Sequence, residues 1–333
     1  MEVSTWENPG RKQKKYFDYQ KLPPTGRIRT KKGKGKYEHP VWGKVVHHTD
    51  GRYYKTLDYQ YQIPLHNFKS QLLRWYKDEL KSEFTQSDLE WLGKKESPIL
   101  DELLKDWKTH GCINIYDNRY YIFETVTCGL NVTQQVTDSY QNQLRISSPP
   151  LHTMMWFNHL GYKPRTLIDV GCGIGLSSIW FAYNFPDCEV YVDEHNELSV
   201  RLIERVKKEL QLFNLHIGDK RNEYDCGTFY EVVEHIEGEP GVGTPFPWLD
   251  NYLHRINHNF TYSTYWSKNE SSIGHFNQYE FDGVKIGEEK KSRWSKTFHK
   301  SLENRDWIHD KRCDFHGTLP NVFWKDKLKT RVI

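Results

Sequence analysis

Three glycines lie in the segment 169–175, which reads Asp-Val-Gly-Cys-Gly-Ile-Gly. The segment closes a short apolar run that begins at Thr166, and a helical pattern begins directly after it at Leu176. Glycine has no side chain, so its backbone adopts turns that other residues rarely adopt and can approach a ligand closely. In open α/β sheets such turns lie at the carboxyl ends of the strands, where ligands bind. The predicted ligand-binding residues of this turn are Asp169, Gly171, Cys172, Gly173 and Gly175.

The residues around the turn disfavour two common nucleotide sites. A P-loop requires a lysine after its last glycine, but Leu176 follows Gly175. A dinucleotide turn, Gly-x-Gly-x-x-Gly, would place a glycine at 176, where the chain has leucine. S-Adenosylmethionine (SAM) is cationic and has no diphosphate. The Asp169 carboxylate can accept a hydrogen bond from its ammonium group or orient the turn, whereas it would repel a diphosphate, so the turn favours SAM.

The string at 169–175 resembles the first motif of class I SAM-dependent methyltransferases. Its pattern is most similar to the group that contains ubiquinone-type O-methyltransferases and small-RNA 2′-O-methyltransferases. The resemblance implies a Rossmann-like α/β fold with a doubly wound, mostly parallel sheet. It also implies SAM as the cofactor and methyl transfer as the activity.

The resemblance assigns roles to acids that follow the next two predicted strands. An acid at the end of the second strand is expected to bind both ribose hydroxyls. Asp193 occupies that position, and Glu194 is the rival. After the third predicted strand, Asp219 is expected to contact the adenine amino group, although aspartate is also a common turn residue.

A cluster of acids with a histidine lies at the end of the fourth predicted strand, where residues 231–235 read Glu-Val-Val-Glu-His. This string is similar to a motif of the same group, in which some members bind a divalent metal near the acceptor hydroxyl. The resemblance implies Mg²⁺ or Mn²⁺, which suit oxygen-rich ligands. A cation there would lower the pKa of the hydroxyl. The implied ligands are Glu231, Glu234, His235 and, from a Gly-His-Phe segment further on, His275.

The same cluster admits two interpretations without a metal. His235 can act as a general base, since imidazole titrates near neutral pH, with Glu234 as the second catalytic candidate. Alternatively, the two residues only end a strand and orient a loop. Successive side chains of a strand point to opposite faces, so Glu231, Glu234 and His235 converge only if the chain turns helical near Glu231.

The elements that position these residues alternate along the second half of the chain. Helices of this length between strands imply right-handed crossovers and a parallel sheet. After residue 285 no terminal β-hairpin is evident. Strands are predicted at 166–170, 189–192, 215–217, 228–233 and 260–265, and helices at 176–185, 198–212 and 248–256.

The region before these elements is predicted to be a mixed α+β accessory region. A hairpin is expected around Asp50-Gly51, which lies between two apolar pairs. Helical spacing of apolar residues dominates 65–110. Alternation of apolar residues predicts one or two strands within 112–127.

Basic residues are concentrated at both ends of the chain. Residues 1–36 contain eleven Lys and Arg against three acids, and 285–333 contain thirteen against seven, while the whole chain has a net charge of +3. Basic ends around an acidic body indicate RNA or another polyanion as a partner, and a solubilising tail is the alternative. The predicted organisation is a basic arm (1–36), the accessory region (37–150), the methyltransferase domain (151–285) and a basic extension (286–333).

Several classes of protein are disfavoured by what the sequence lacks. Six cysteines without a Cys-x-x-Cys pair do not support a zinc or disulfide framework. No apolar stretch is long enough for a signal peptide or a membrane span, so a cytoplasmic protein without a membrane partner is expected. The predicted function is methyl transfer to a hydroxyl of a small molecule or of RNA ribose. The alternative is a nucleic-acid-binding or virion-associated protein with a degenerate, inactive methyltransferase fold.

Overall fold

The structure of this chain is a computed structural model. No helix among the residues it describes is long and apolar enough to cross a membrane. The described residues are 36–39, 43–47, 53–55, 71–92, 99–110, 119–123, 125–127, 144–145, 153, 156–157, 160–264, 275–287, 291–310 and 321–325.

The first half of the chain contains a small antiparallel sheet and several helices. Val46 lies opposite Tyr54, so the strand pairing expected from the Asp50-Gly51 hairpin is confirmed, while the turn itself lies outside the described residues. Of the one or two strands predicted within 112–127, the part after Asn118 is wrong, because 119–123 and 125–127 are helical, while 112–118 lie outside the described residues. The sheet has the order β1 (Lys36–His39), β2 (Gly43–His47), β3 (Tyr53–Lys55), β4 (Leu144–Arg145), and the helices are 71–80, α1 (Gln86–Trp91) and α2 (Ile99–His110).

The second half forms a seven-stranded, mostly parallel sheet with the order β13-β14-β10-β8-β5-β6-β7. Its strands are β5 (Thr166–Val170), β6 (Glu189–Asp193), β7 (Leu215–Ile217), β8 (Tyr224–Tyr230), β10 (Ile256–Ser263), β13 (Trp307–His309) and β14 (Asn321–Lys325). A three-stranded sheet contains β9 (Val242–Gly243), β11 (Gln278–Phe281) and β12 (Val284–Gly287). The helices are α3 (Leu176–Asn184), α4 (Glu197–Leu210), α5 (Phe246–Leu253) and α6 (Lys291–Glu303).

Alternate residues of the central strands enter two different cores. Leu167 and Val190 pack in a core that includes α3 and α4, together with helical residues of the first half. Ile168 and Tyr191 pack in a second core that includes α5 and α6. Helices therefore cover both faces of the sheet, and the predicted doubly wound α/β fold is confirmed.

The sheet extends well beyond the predicted end of the domain at residue 285, so that boundary is wrong. β14 pairs antiparallel with β10, placing Phe323 opposite Phe260, and β13 pairs antiparallel with β14. Trp307 and Phe323 are fully buried in the second core. Much of the predicted basic extension at 286–333 is thus an integral part of the fold. Periodicity does not reveal these strands because they are short and are separated by residues 310–320.

Deleting residues 304–333 is expected to unfold the protein. The deletion removes three buried aromatic side chains, Trp307, Phe323 and Trp324, and exposes the edge of β10. Loss of a buried large aromatic costs about 3–5 kcal/mol each, against a total stability of about 5–15 kcal/mol. Thermal unfolding followed by circular dichroism tests this. A truncation after Lys325 is the control and should unfold cooperatively, and a cooperative transition at the wild-type midpoint in the longer deletion would contradict the expectation.

Candidate cofactor and acceptor site

The glycine turn leaves the end of β5 in a conformation that other residues rarely adopt. Gly171, Gly173 and Gly175 have φ values of +60°, +55° and +73°. A Cβ added at Gly171 would lie 2.9 Å from the Val232 side chain, and one at Gly175 would lie 2.6 Å from Ile203. The turn is therefore closely packed against its neighbours, and glycine is required there both by conformation and by space.

Asp169 lies beneath this turn and is fully buried. Its carboxylate accepts hydrogen bonds from the hydroxyls of Ser177, Ser178 (2.5 Å) and Thr228 (2.7 Å). Burial raises the pKa of the Asp169 carboxyl, while the three hydroxyl donors oppose this rise. Of its two predicted roles, orienting the turn agrees with this placement, whereas direct contact with a ligand does not.

A cavity of about 200 Å³ opens over the turn at the carboxyl ends of the strands. Gly171 and Gly173 are among its lining residues, whereas Cys172 and Gly175 are not. Burial raises the pKa of the Cys172 thiol well above its usual value. Cys172 and Gly175 belong to the turn without lining this cavity, and their ligand contacts stay a prediction. The lining residues beyond the turn are Tyr121, Ile122, Val170, Asp193, Glu194, His195, Asn196, Ser199, Glu231, Val232, His235, Ile236, Trp248 and Tyr252.

The two acids that compete at the end of β6 are held differently. Both oxygens of Glu194 accept backbone N–H groups, from Gly173 at 2.9 Å and from Asn196 at 3.0 Å. Glu194 therefore connects the glycine turn to the start of α4. The carboxylate of Asp193 accepts one hydrogen bond from a described residue, the hydroxyl of Tyr252 at 2.7 Å. Asp193 retains more capacity to accept hydrogen bonds from a ligand in the cavity.

Asp219, the predicted adenine contact, lies elsewhere. Both of its oxygens accept from the guanidinium of Arg255, and one also accepts from the hydroxyl of Tyr224 at 2.6 Å. Burial opposes the ionised form, but these bonds lower the pKa of the Asp219 carboxyl. Asp219 is not among the lining residues of the cavity. Its predicted role is corrected to that of an ion-pair partner, because Arg255, 36 residues away, comes close only in the fold.

Two parts of the cavity wall were missed by sequence reasoning. Trp248 and Tyr252, four residues apart, face the cavity from α5, and this spacing in the predicted helix was the available signal. Tyr121 and Ile122 line it from the helical segment of the first half. In the same segment, the methyl group of Thr125 lies 3.0 Å from the position of a Cβ on Gly173. The accessory region thus completes the cavity. The sequence, which predicts strands in this segment, does not indicate this role.

At the other end of the cavity, β8 stops at Tyr230 and the chain turns sharply. Glu231 has a φ of +54°, which is uncommon for a residue with a side chain, and Val233–His235 form one turn of 3-10 helix. The backbone N–H of Glu231 donates to the Ser263 carbonyl oxygen at 2.9 Å, which joins the turn to the end of β10. The acids and the histidine can converge only if the chain makes a strand-to-helix turn here, and this turn is present.

This turn brings Glu234 and His235 together with His275. The ligand atoms that the three residues offer all lie within 4.8 Å of one another, and the two imidazole rings are 4.7 Å apart. Glu234 and His275 are buried, while His235 reaches the cavity. No other group of three such side chains occurs in the described part of the chain.

Glu231, the fourth predicted ligand, is not a member of this group. Its carboxyl contacts that of Glu234 and accepts a hydrogen bond from the Ser263 hydroxyl at 2.8 Å. Burial and the neighbouring Glu234 carboxylate raise the pKa of Glu231 well above its usual value. Glu231 therefore supports Glu234 from the cavity wall, and its role as a metal ligand stays a prediction.

No protein-family model matches the chain, and neither does any curated protein. Among solved structures, a SAM-dependent methyltransferase from Aquifex aeolicus is 17% identical, with a TM-score of 0.34 over 53% of this chain and 87% of that one. Coclaurine N-methyltransferase, bound to N-methylheliamine and S-adenosylhomocysteine (SAH), is 12% identical, with a TM-score of 0.31 over 60% and 58%. The cyclase SpnF is 10% identical, with a TM-score of 0.32 over 44% and 51%.

The chain thus spans little more than half the length of the cyclase and of the coclaurine enzyme. The similarity to SAM-dependent methyltransferases is distant. Identities and TM-scores this low say nothing about activity. The fold is assigned from the strand order of the sheet itself.

Proposed function

We propose that this protein binds SAM in the cavity above the glycine turn and transfers its methyl group to a hydroxyl. One observation carries the proposal: the group of Glu234, His235 and His275 reaches, through His235, the same cavity as the glycine turn. Methyl transfer requires a cofactor site, here the glycine turn, next to groups that activate the acceptor, here the histidine–carboxylate group. The motif resemblance of both segments supports the same activity, and the narrower likeness to hydroxyl-methylating enzymes is part of this proposal.

The cofactor end of the cavity is assigned to the turn and to Asp193. Gly171 and Gly173 lack side chains that would occupy the space above the turn. Asp193 is assigned as the acceptor of the ribose hydroxyls in preference to Glu194, because Glu194 already accepts two backbone N–H groups. Charge-assisted hydrogen bonds of this kind are among the stronger polar interactions in proteins.

The acceptor end is assigned to the group of one carboxylate and two imidazoles, and this donor set fits a divalent cation. Two nitrogen ligands favour Mn²⁺ over Mg²⁺, which prefers oxygen ligands throughout. A bound cation lowers the pKa of a coordinated hydroxyl. Glu231 and Ser263 hold the Glu234 side of the group in place. During transfer the sulfur–methyl bond breaks and its electron pair stays on sulfur, an oxygen–methyl bond forms, and the hydroxyl proton passes to the His235 imidazole in the metal-free mechanism or to solvent when His235 holds a cation.

The acceptor is proposed to be a small-molecule hydroxyl or an RNA ribose hydroxyl. Residues 1–35 of the arm lie outside the described residues, and the charge of the arm supports contact with a polyanion. A polyanionic acceptor would bind less tightly as the salt concentration rises, because counterions compete for the same basic side chains.

Calorimetry with SAM and SAH, followed by transfer of a labelled methyl group onto a cell extract, tests the proposed function. Binding and labelling of the extract are the expected results. Label that disappears after ribonuclease treatment identifies RNA as the acceptor, and label that persists identifies another hydroxyl compound. Absence of SAM binding would reject the proposal, and binding without transfer would favour a degenerate, inactive fold.

A further inference from the structure

Helix α5 carries an aromatic side chain to the carboxylate of Asp193. The hydroxyl of Tyr252 donates to Asp193 Oδ2 at 2.7 Å, and its ring packs against Phe229 and Trp248, with centroids 5.6 and 5.0 Å away. Packing on two sides restricts where the Tyr252 hydroxyl can lie. The hydroxyl therefore reaches Asp193 from a fixed position.

The opposite side of α5 is held by a guanidinium fork. Arg305 donates to both oxygens of Asp250, at 2.6 and 2.9 Å, and to both oxygens of Asp282, each at 2.9 Å. Its guanidinium also lies 4.2 Å from the ring centre of Phe246. Bidentate arginine–carboxylate pairs combine strength with defined geometry. The helix that presents Tyr252 is thus anchored to the turn between β11 and β12.

The carboxylate of Asp193 accepts fewer hydrogen bonds than those of the other acids at this edge of the sheet. Asp169 has three hydroxyl donors and Glu194 has two backbone donors, whereas Tyr252 is the one described residue whose side chain donates to Asp193. A carboxylate with a single donor can rotate. The direction of its remaining lone pairs therefore depends on that donor.

We propose that Tyr252 is a positioning residue for the cofactor, acting through Asp193. Its hydroxyl donates to Oδ2 and fixes the orientation of the carboxylate. The remaining lone pairs of Asp193 therefore point towards the site of the ribose hydroxyls before the ligand binds. Preorganisation of this kind increases affinity because the ligand does not have to order the carboxylate itself. The inference rests on the proposed SAM site.

The substitution Tyr252→Phe removes the hydroxyl and keeps the ring. The Kd for SAH, measured by calorimetry on the full chain, is expected to rise about 10-fold, the size expected for one hydrogen bond to a charged group. Tyr224→Phe is the matched control, because its hydroxyl also donates to an aspartate, Asp219, which lies outside the cavity lining. The control should leave the Kd unchanged.

A double-mutant cycle separates positioning from general support of the fold. In an Asp193→Ala background, titrated to millimolar SAH, Tyr252→Phe should cause no further loss, because the group it positions is gone. Equal losses in both backgrounds, or an unchanged Kd in Tyr252→Phe alone, would overturn the inference. If the wild type binds SAH, either of these results rejects only the role of Tyr252 and does not affect the proposed function. If the wild type does not bind SAH, the proposed function itself is rejected.

Discussion

Replacing His235 with alanine is expected to lower the rate of methyl transfer by about 100-fold or more, a loss typical of removing an acid–base or acceptor-activating group. His235 is the member of the histidine–carboxylate group that lines the cavity, so its imidazole lies nearest to an incoming hydroxyl. SAM affinity should change little, because the turn and Asp193 remain. Initial rates at saturating SAM, together with calorimetry, measure the two effects separately.

The matched control is His216→Ala, which removes a histidine that pairs with Glu189 and is not among the cavity-lining residues. Its rate should equal that of the wild type. If His235→Ala also keeps the wild-type rate, the acceptor end has been assigned to the wrong residues.

Chelation decides how His235 acts. A wild type that loses activity in a chelator and regains it with Mn²⁺ supports the cation group of Glu234, His235 and His275. Activity that is indifferent to the chelator, yet lost in His235→Ala, selects His235 as a metal-free general base. The two mechanisms share the same residue, so only this comparison separates them.

Replacing Gly173 with valine is expected to weaken SAM and SAH binding by at least about 100-fold, which corresponds to about 2.8 kcal/mol. A β-branched residue at a φ of +55° is strained by about 1–3 kcal/mol. Its Cβ would also lie 3.0 Å from Thr125, and the residue lines the cavity. The valine therefore displaces either the cofactor or the helical segment that covers it. Calorimetry with SAH measures the change.

Gly241→Val serves as the control for backbone strain alone. Gly241 has a φ of +78°, and no described atom lies within 4 Å of the point that a Cβ would occupy. It lies in the turn before β9, away from the cavity lining. The substitution should cost comparable stability without changing the Kd for SAH. Circular dichroism confirms that both variants fold. Equal SAH affinity in Gly173→Val and the wild type would remove the glycine turn from the cofactor site.

Local sequence was informative wherever a local physical rule applies. The glycine turn follows from backbone freedom at 171, 173 and 175, and the central strands and helices follow from apolar periodicity. The helical turn after β8 was anticipated as the condition for Glu234 and His235 to meet. Periodicity was misleading at 119–127, because Ile122, Phe123 and Val126 are all buried with helical spacing against residues such as Phe84.

By itself the sequence determined the order of the α/β elements, the glycine turn and the candidates for the acid–histidine group, because backbone conformation and apolar spacing act between near neighbours. The tertiary structure alone decided which acids face the cavity. Arg255 pairs with Asp219 outside the cavity lining, Tyr252 donates to Asp193, and Ser263 donates to Glu231. It also added β13 and β14 to the sheet. The partners joined by these hydrogen bonds lie 32 to 59 residues apart in the chain, so no local pattern specifies their pairing.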